Sequence, residues 1–433
     1  MRLYASIFRT MSSSSSTLVQ IASYNTNLQG DNGVPQDLVD WLNPTFQASL
    51  LISDAPANGR YVSSRLIYRR RLNSSDIIAV GFQELLPLYL GLSGLSNKVI
   101  NNRNAHILEQ IEAHSKERYA LIAKVVNGGV ALLVYARDAG IARTACDVQT
   151  SWTGSGPAYM GNKEDGPDAL DSFVCAHLTA HAEKLSNRIA DWNHIVGTLL
   201  FDGRSTLYET SHLFVLGDMN FRVVLPADHP LKGATSATLG QALSTHSVRE
   251  NLKEFDQLLC ERRKPGSRLF VGLRESEFWG FKCSYKYYIG GVDHYSEKRT
   301  PSWTDRILYT TYTDSPDVAD GSTITNLLYT SIPGYTTSDH KPIVSLLLLP
   351  PTSTSHRDSA PLIRLPDSYL PMPDSAANRK RYTGRVIDRI VGRIWWLLTI
   401  LGAGSAVVGI FNFIIGLGAW GWWRTLKTQT TDV

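Results

Sequence analysis

Charge and cysteine are both scarce in this chain. Only 19% of its 433 residues are charged, against 43% hydrophobic, and 43 Lys+Arg nearly balance 39 Asp+Glu for a formal net charge of +4. A charged fraction below the roughly 25% of average soluble domains excludes a chain held disordered by self-repulsion. So slight a basic excess excludes a basic, tail-type nucleic-acid binder. The four cysteines, Cys146, Cys175, Cys260 and Cys283, lie far apart with no Cys-x-x-Cys pair. Neither a zinc framework nor a disulfide scaffold is indicated, and they read as reduced thiols facing the cytosol. There is no internal repeat, and no apolar stretch of signal-peptide length near Met1. Residues 1–16, with Arg2, Arg9 and the run Ser12 to Ser16, read as a disordered leader. A weak transit peptide and a start at Met11 are the alternatives.

What the chain does have is length for one large α/β domain with appendages. Strand-like apolar runs recur at Leu18 to Ser23, Ile77 to Phe82, Val130 to Tyr135, Phe173 to Leu178, Leu213 to Leu216, Arg306 to Thr310 and Ile343 to Leu349. Helical stretches, Ile107 to Glu117 and Leu185 to Leu200, are interspersed. That mixture predicts an α/β or α+β domain over residues 17–349.

Beyond it, residues 350–393 are expected to be a flexible basic tether. From Ile394 to Trp423 no residue is charged, a run of about 30 where about 18 suffices to suggest a membrane span. Trp395 and Trp396 stand at one end and Trp420, Trp422 and Trp423 at the other, as interfacial belts do. A buried core helix and a two-pass hairpin around the central glycines are the alternatives. Basic residues from Arg379 to Arg393 precede the run, and only Arg424 and Lys427 follow it. By the positive-inside rule the large N-terminal portion is cytosolic and residues 424–433 are lumenal, the layout of a tail-anchored protein.

Polar residues gather at the strand ends. Asn25 follows the first run and Glu84 the second; His177 lies in the fourth; Asp218, Asn220 and Arg222 follow Leu213 to Leu216; Asp339 and His340 precede the last. Strand ends on one sheet edge share a cleft. Glu84 and Asn25 are hard oxygen ligands suited to Mg²⁺. Asp218 is placed to orient or deprotonate a water, and Asn220, His177 and His340 to donate to charge developing on a phosphoryl group. Metal-assisted phosphoester hydrolysis by in-line attack of water uses all these parts. Taken singly, each is more often a turn or core residue, and Arg222 reads as structural.

Five blocks appear in order: Ser23-Tyr24-Asn25, Gly81-Phe82-Gln83-Glu84, Gly217-Asp218-Met219-Asn220-Phe221-Arg222, Pro301-Ser302-Trp303-Thr304-Asp305-Arg306-Ile307-Leu308 and Ser338-Asp339-His340-Lys341-Pro342. With them the chain resembles the inositol polyphosphate 5-phosphatases of the endonuclease/exonuclease/phosphatase superfamily, over Ile21 to Leu349. The resemblance implies a four-layer α/β sandwich (DNase I-like) with Mg²⁺ near Glu84 and Asn25. It implies that Asp218 positions the water, that Asn220, His177 and His340 stabilise the transition state, that Asp339 orients His340, and that Asp305 joins that network. Ser284-Tyr285-Lys286-Tyr287 is similar to the family's Thr-Tyr-Lys-Tyr element, which with basic residues before Pro301 binds the phosphate beside the one removed. Here Glu297-Lys298-Arg299-Thr300 is one residue shorter than usual, leaving open which of Lys298 and Arg299 serves. Gly161-Asn162-Lys163-Glu164 resembles a Gly-Asn-Lys-Gly loop near the 1-phosphate, with Glu164 in place of glycine.

The expectation is a tail-anchored, monomeric phosphatidylinositol 4,5-bisphosphate 5-phosphatase on the endoplasmic reticulum membrane, facing the cytosol, with a phosphoinositide lipid and no nucleic acid as partner. The alternatives are a neutral sphingomyelinase-like phospholipase C, an abasic-site endonuclease and a non-catalytic phosphoinositide-binding tether.

Overall fold

The computed structural model describes residues 2–9, 16–28, 42, 74–143, 145–154, 171–201, 205–318, 321–350, 363–401, 410, 414–415 and 417–420. Its strands are β1 (Arg2–Arg9), β2 (Thr17–Asn25), β3 (Ile77–Gln83), β4 (Tyr119–Asn127), β5 (Val130–Arg137), β6 (Cys146–Gly154), β7 (Asp171–His177), β8 (His212–Asp218), β9 (Asp305–Thr311), β10 (Thr325–Ser331) and β11 (Ile343–Leu349). Its helices are α1 (Leu88–Ser93), α2 (Ser96–Ser115), α3 (Leu185–Thr198), α4 (Ser236–Ala242), α5 (His246–Leu252), α6 (Gln257–Arg262) and α7 (Ala377–Ile400). The seven apolar runs all become strands. They pair in two sheets, ordered β6-β1-β7-β8-β9 and β10-β11-β2-β3-β5-β4.

The pattern along each strand decides the layering. In β2, Val19 and Ile21 join Ile77, Ala79, Phe173, Phe214, Leu216 and Ile307 in a core between the sheets. The alternate residues Ala22 and Tyr24 meet Val99, Ile100, Ile107 and Ile111 of α2 outside the second sheet. Val174, Ala176, Leu213 and Val215 meet Trp192, Ile195 and Val196 of α3 outside the first. Both faces of each central strand are therefore buried, so these strands read as continuous apolar runs instead of alternating ones. The result is helix, sheet, sheet, helix, the four layers expected.

Two expectations need correction. Residues 2–9, expected in a disordered leader, form β1, paired antiparallel with both β6 and β7. The serine run hid this, because the alternating Leu-Tyr-Ala-Ser-Ile-Phe segment ahead of it is too short to stand out by composition. The flexible tether is docked over much of its length. Ile363 and Tyr369 sit in the α3 core, the Asp374 amide donates to Gly197 O at 2.7 Å, and the guanidinium of the buried Arg381 donates to Thr198 O. A few isolated apolar anchors suffice to dock such a segment, although it lacks periodicity. Residues 351–362 lie outside the described ones.

Among the described residues, no helix is long and apolar enough to cross a membrane. Half of the expected C-terminal transmembrane helix, Ile394 to Trp423, falls on residues outside that set, as does all of the 424–433 tail.

Candidate active site

Strand direction brings the chemistry to one edge. β2 runs parallel to β3, with Asn25 beside Gln83, so Asn25 and Glu84 leave the second sheet together. β7 runs parallel to β8, with His177 beside Asp218. β9 runs back against β8, placing Asp305 opposite Asp218. β11 runs back against β2, with Ile343 opposite Ser23, so Asp339 and His340 lie just outside that edge. Ends of parallel strands and beginnings of antiparallel ones thus converge where the two sheets meet.

The local backbone is bent to suit. Gly217 has φ +134°, and a Cβ there would lie 2.0 Å from Ala176 O, so only glycine fits. Glu84 and Asn220 adopt φ 49° and 57°, left-handed conformations that non-glycine residues hold only where the surroundings impose them, commonly at functional sites. For Asn220 the restraint is visible: its amide N–H donates to Asp218 Oδ1 at 3.0 Å and its Nδ2 to Leu178 O at 3.1 Å.

Asp218 is the hub. Asn25 Nδ2 donates to its Oδ2 at 3.0 Å and to Glu84 Oε1 at 3.3 Å. His177 Nε2 lies 3.5 Å and His340 Nε2 3.9 Å from the same Asp218 oxygen. Burial pushes the Asp218 carboxyl up to about 6, against the pull of His340, leaving it mostly ionised at neutral pH.

The two histidines diverge. Burial pushes His177 down to about 4 despite the Glu84 carboxylate 3.7 Å away, so it faces the cleft as a neutral imidazole. Burial would also lower His340, but the carboxylates of Asp305 and Asp218 outweigh it and raise it to about 10. His340 is an imidazolium.

The orienting partner of His340 is a correction to the expected roles. His340 Nδ1 meets Asp305 Oδ2 at 2.9 Å, an oxygen that also accepts from Ser284 at 2.7 Å and Thr304 at 2.9 Å. Although burial opposes ionisation, His340 and these donors hold Asp305 below the usual carboxylate range. Asp339, expected to orient His340, instead accepts from Lys286 Nζ at 2.6 Å. Its side chain is tied to the segment that carries Tyr285.

Beside this cluster opens a cavity of about 440 Å³ lined by Tyr285, Lys286, Lys298, Arg299, Arg222 and Lys232, among others. It gathers four of the expected substrate-binding residues, and both Lys298 and Arg299 face it. Asn162 and Lys163, expected to complete that set, lie outside the described residues. Tyr285 is the partition: its ring is 4.6 Å from that of His340 on one side, and the Arg222 guanidinium lies 4.2 Å over its face. Arg222, read from sequence as structural, also donates to Asn220 Oδ1. Its place two residues after Asn220 in one extended segment was the available signal. Lys232 carried none, because the loop that holds it has no motif.

Behind the site, Arg306 anchors the block that carries Asp305. It is buried, donates to Glu275 twice at 2.6 Å and to Asp256 at 3.1 Å, and lies 3.7 Å over the Phe278 ring. Arg306→Met strands two buried carboxylates, so urea denaturation is expected to show a loss of about 3–5 kcal/mol.

The donor chemistry fits a divalent cation at Glu84 and Asn25. The Glu84 side chain is 32% exposed at the cleft; Asn25 turns its Nδ2 to Glu84 and Asp218, and its Oδ1, which accepts from the Asn27 amide at 3.1 Å, is the atom it would share with an ion. Asp218, Asp305 and His340 also bring potential ligand atoms within 4.8 Å of one another. Of these, Asp305 and His340 form a hydrogen-bonded carboxylate–imidazolium pair with Asp218 3.9 Å from the other ring nitrogen, and the proton on His340 does the work a cation would otherwise do.

Residues 22–346 match the model of endonuclease/exonuclease/phosphatase family 2. Rat synaptojanin-1 is 29% identical over 343 residues, 72% of this chain and 20% of that protein. Rat phosphatidylinositol 4,5-bisphosphate 5-phosphatase A is 29% identical over 351 residues, 75% of this chain and 32% of that protein. The chain therefore spans only a fifth to a third of these relatives. The Arabidopsis thaliana type IV inositol polyphosphate 5-phosphatase 11 is 33% identical over 181 residues, 41% of this chain and 48% of that protein. The fold resembles the crystal structure of the inositol polyphosphate 5-phosphatase domain of SPsynaptojanin in complex with inositol (1,4)-bisphosphate and calcium ion. That likeness has a TM-score of 0.51 at 20% identity, over 79% of this chain and 86% of that one. With the layers, the site and these matches in agreement, the chain belongs to the inositol polyphosphate 5-phosphatases of the endonuclease/exonuclease/phosphatase superfamily.

Proposed function

We propose that the chain is a Mg²⁺-dependent phosphoinositide 5-phosphatase that converts phosphatidylinositol 4,5-bisphosphate to phosphatidylinositol 4-phosphate. The observation that carries this reading is the basic cavity set against the Asp218–His340 cluster with Tyr285 between them. A ring phosphate that is kept needs cations close to, but separate from, the centre acting on its neighbour. Lys286, Lys298 and Arg299 supply them.

Asp218, fixed through both oxygens by Asn25 and Asn220, orients a water for in-line attack and accepts its proton. His340 holds a proton at Nε2 because Asp305 engages Nδ1, and donates to the phosphoryl oxygens as their charge grows. Neutral His177 contributes one further N–H, and Arg222 keeps the Asn220 amide aimed. A divalent cation bound by Glu84 and Asn25 would supply charge neutralisation at the phosphoryl group.

A sphingomyelinase reading is weaker, since a choline headgroup brings no anion for the cavity cations Lys298 and Arg299. The uncharged run from Ile394, with its basic N-terminal flank, supports a tail anchor in the endoplasmic reticulum membrane with the catalytic domain in the cytosol.

Phosphate release from vesicles containing phosphatidylinositol 4,5-bisphosphate, assayed with Mg²⁺ beside sphingomyelin vesicles and an abasic duplex, is the direct test. Turnover of sphingomyelin alone would overturn the assignment. In the same assay Lys286→Ala, which loses a charge-assisted contact, is expected to raise KM about 10- to 100-fold and to leave kcat within about threefold.

A further inference from the structure

Helix α7 spans the catalytic domain from the edge opposite the site to the edge that bears it. At its start, Arg381 donates to Thr198 O and the Asp374 amide to Gly197 O, both at the far end of α3. That helix begins just after His177, so its last turn is remote from the cleft. Midway, the Arg385 guanidinium lies 5.3 Å over the Trp152 ring of β6. Toward its end, Arg389 Nη1 donates to Leu92 O at 3.3 Å, Gly392 packs against the α1 backbone, and the Trp395 ring lies 6.0 Å from Tyr89. Tyr89 is five residues past Glu84. The helix rises about 36 Å over its length, enough to cross the domain once.

The uncharged run starts where α7 reaches the cleft edge. Along the helix, Val386, Ile390, Ile394 and Leu397 are exposed, and Leu88 of α1 beside them is 49% exposed. Arg393, exposed at the cleft-edge end of α7 just before the uncharged run, is a cation placed to complement anionic headgroups.

From this we propose that α7 is a rigid strut seated on a lipid bilayer, which fixes the catalytic cleft toward the membrane surface. The proposal rests on the tail-anchor reading above and goes beyond it: anchoring alone makes the enzyme local, whereas the docked strut sets its orientation. A freely tethered domain would face the bilayer in only a fraction of its orientations.

Gly392 is the place to break the strut. A Cβ there would lie 2.5 Å from the Leu92 carbonyl carbon, so Gly392→Leu must lever α7 off the end of α1, whose residues contribute no side chain to the Asp218 cluster or the basic cavity. The full-length chain is reconstituted in vesicles containing phosphatidylinositol 4,5-bisphosphate, and turnover is compared with that of soluble inositol 1,4,5-trisphosphate. Gly392→Leu is expected to lower vesicle turnover about tenfold while soluble turnover stays within about twofold. A flexible Gly/Ser insert between Arg393 and Ile394, which leaves the Arg381, Arg385 and Arg389 contacts in place, should give the same split. Equal losses on both substrates for the two variants, or no loss on vesicles, would overturn the strut. Extraction of the wild-type chain from vesicles by alkaline carbonate would overturn the anchor reading itself, and the strut with it. Retained integration with unchanged vesicle turnover overturns the strut alone.

Discussion

Asp218→Ala is expected to lower kcat about 10³- to 10⁵-fold in phosphate release, with the protein still folded. Few other positions should give so complete a loss, because Asp218 sits where both halves of the site meet: Asn25 of the second sheet donates to it, and His177, Asn220 and His340 lie around it. The expected effect on stability is opposite in sign. The folded-state pKa of Asp218 lies near 6, above the roughly 3.9 of a free aspartate. Folding therefore disfavours its ionised form, and it weakens the fold increasingly as pH rises from about 4 to 6. Thermal melts at pH 7 with a chelator present should show the alanine variant as stable as the wild type or more so. A large drop in Tm would mean that the carboxylate serves as scaffold, and the activity loss would lose its mechanistic meaning.

Asp305→Asn is expected to cost about 10³- to 10⁴-fold in kcat, with a signature that separates it from Asp218→Ala. The variant keeps the shape of the side chain but removes the charge that holds the His340 proton. In the wild type, His340 stays protonated until pH approaches about 10, so kcat should hold through the mildly alkaline range. Without Asp305 the imidazole returns toward the ordinary value of about 6.5, and residual activity should fall as pH rises through neutrality. The stability change runs in the same direction: the pair's contribution is complete below about 6.5 and is lost as pH climbs toward 10. Asp339→Asn is the control. Because Asp339 is hydrogen-bonded to Lys286 and adds only the smallest of the carboxylate pulls on His340, it should raise KM and shift the pH profile far less than Asp305→Asn does. A shifted profile for Asp339→Asn with a normal one for Asp305→Asn would reverse the assignment made here.

Much of this was legible before any coordinates. Strands buried on both faces announce themselves as uninterrupted apolar runs, and a polar residue that ends such a run is conspicuous, which is why Asn25, Glu84, His177, Asp218 and His340 could be picked from the chain. What stayed hidden depends on partners far apart in sequence. Whether Asp305 or Asp339 serves His340 turns on a register in which β9 begins opposite the end of β8, and adjacency in sequence pointed to the wrong neighbour. Arg222 reads as structural because its stacking on Tyr285, 63 positions away, leaves no mark near it in the sequence. The docking of residues 363–400 escaped notice because single anchors such as Ile363 and Arg381 leave no periodic trace.

The placement of β1 has a bearing on how the chain is made. β1 occupies an interior position, between β6 and β7, whose sequences are synthesised well over a hundred residues after it. Until then its backbone groups have no native partners, and closing so long a loop is slow. A polypeptide initiated at Met11 would lack this strand altogether and leave β6 and β7 with open, unpaired edges facing each other across a gap, the kind of edge that recruits other chains. For expression work, keeping or losing residues 2–9 therefore decides whether β6 is joined to the rest of its sheet or left apart with a free, aggregation-prone edge.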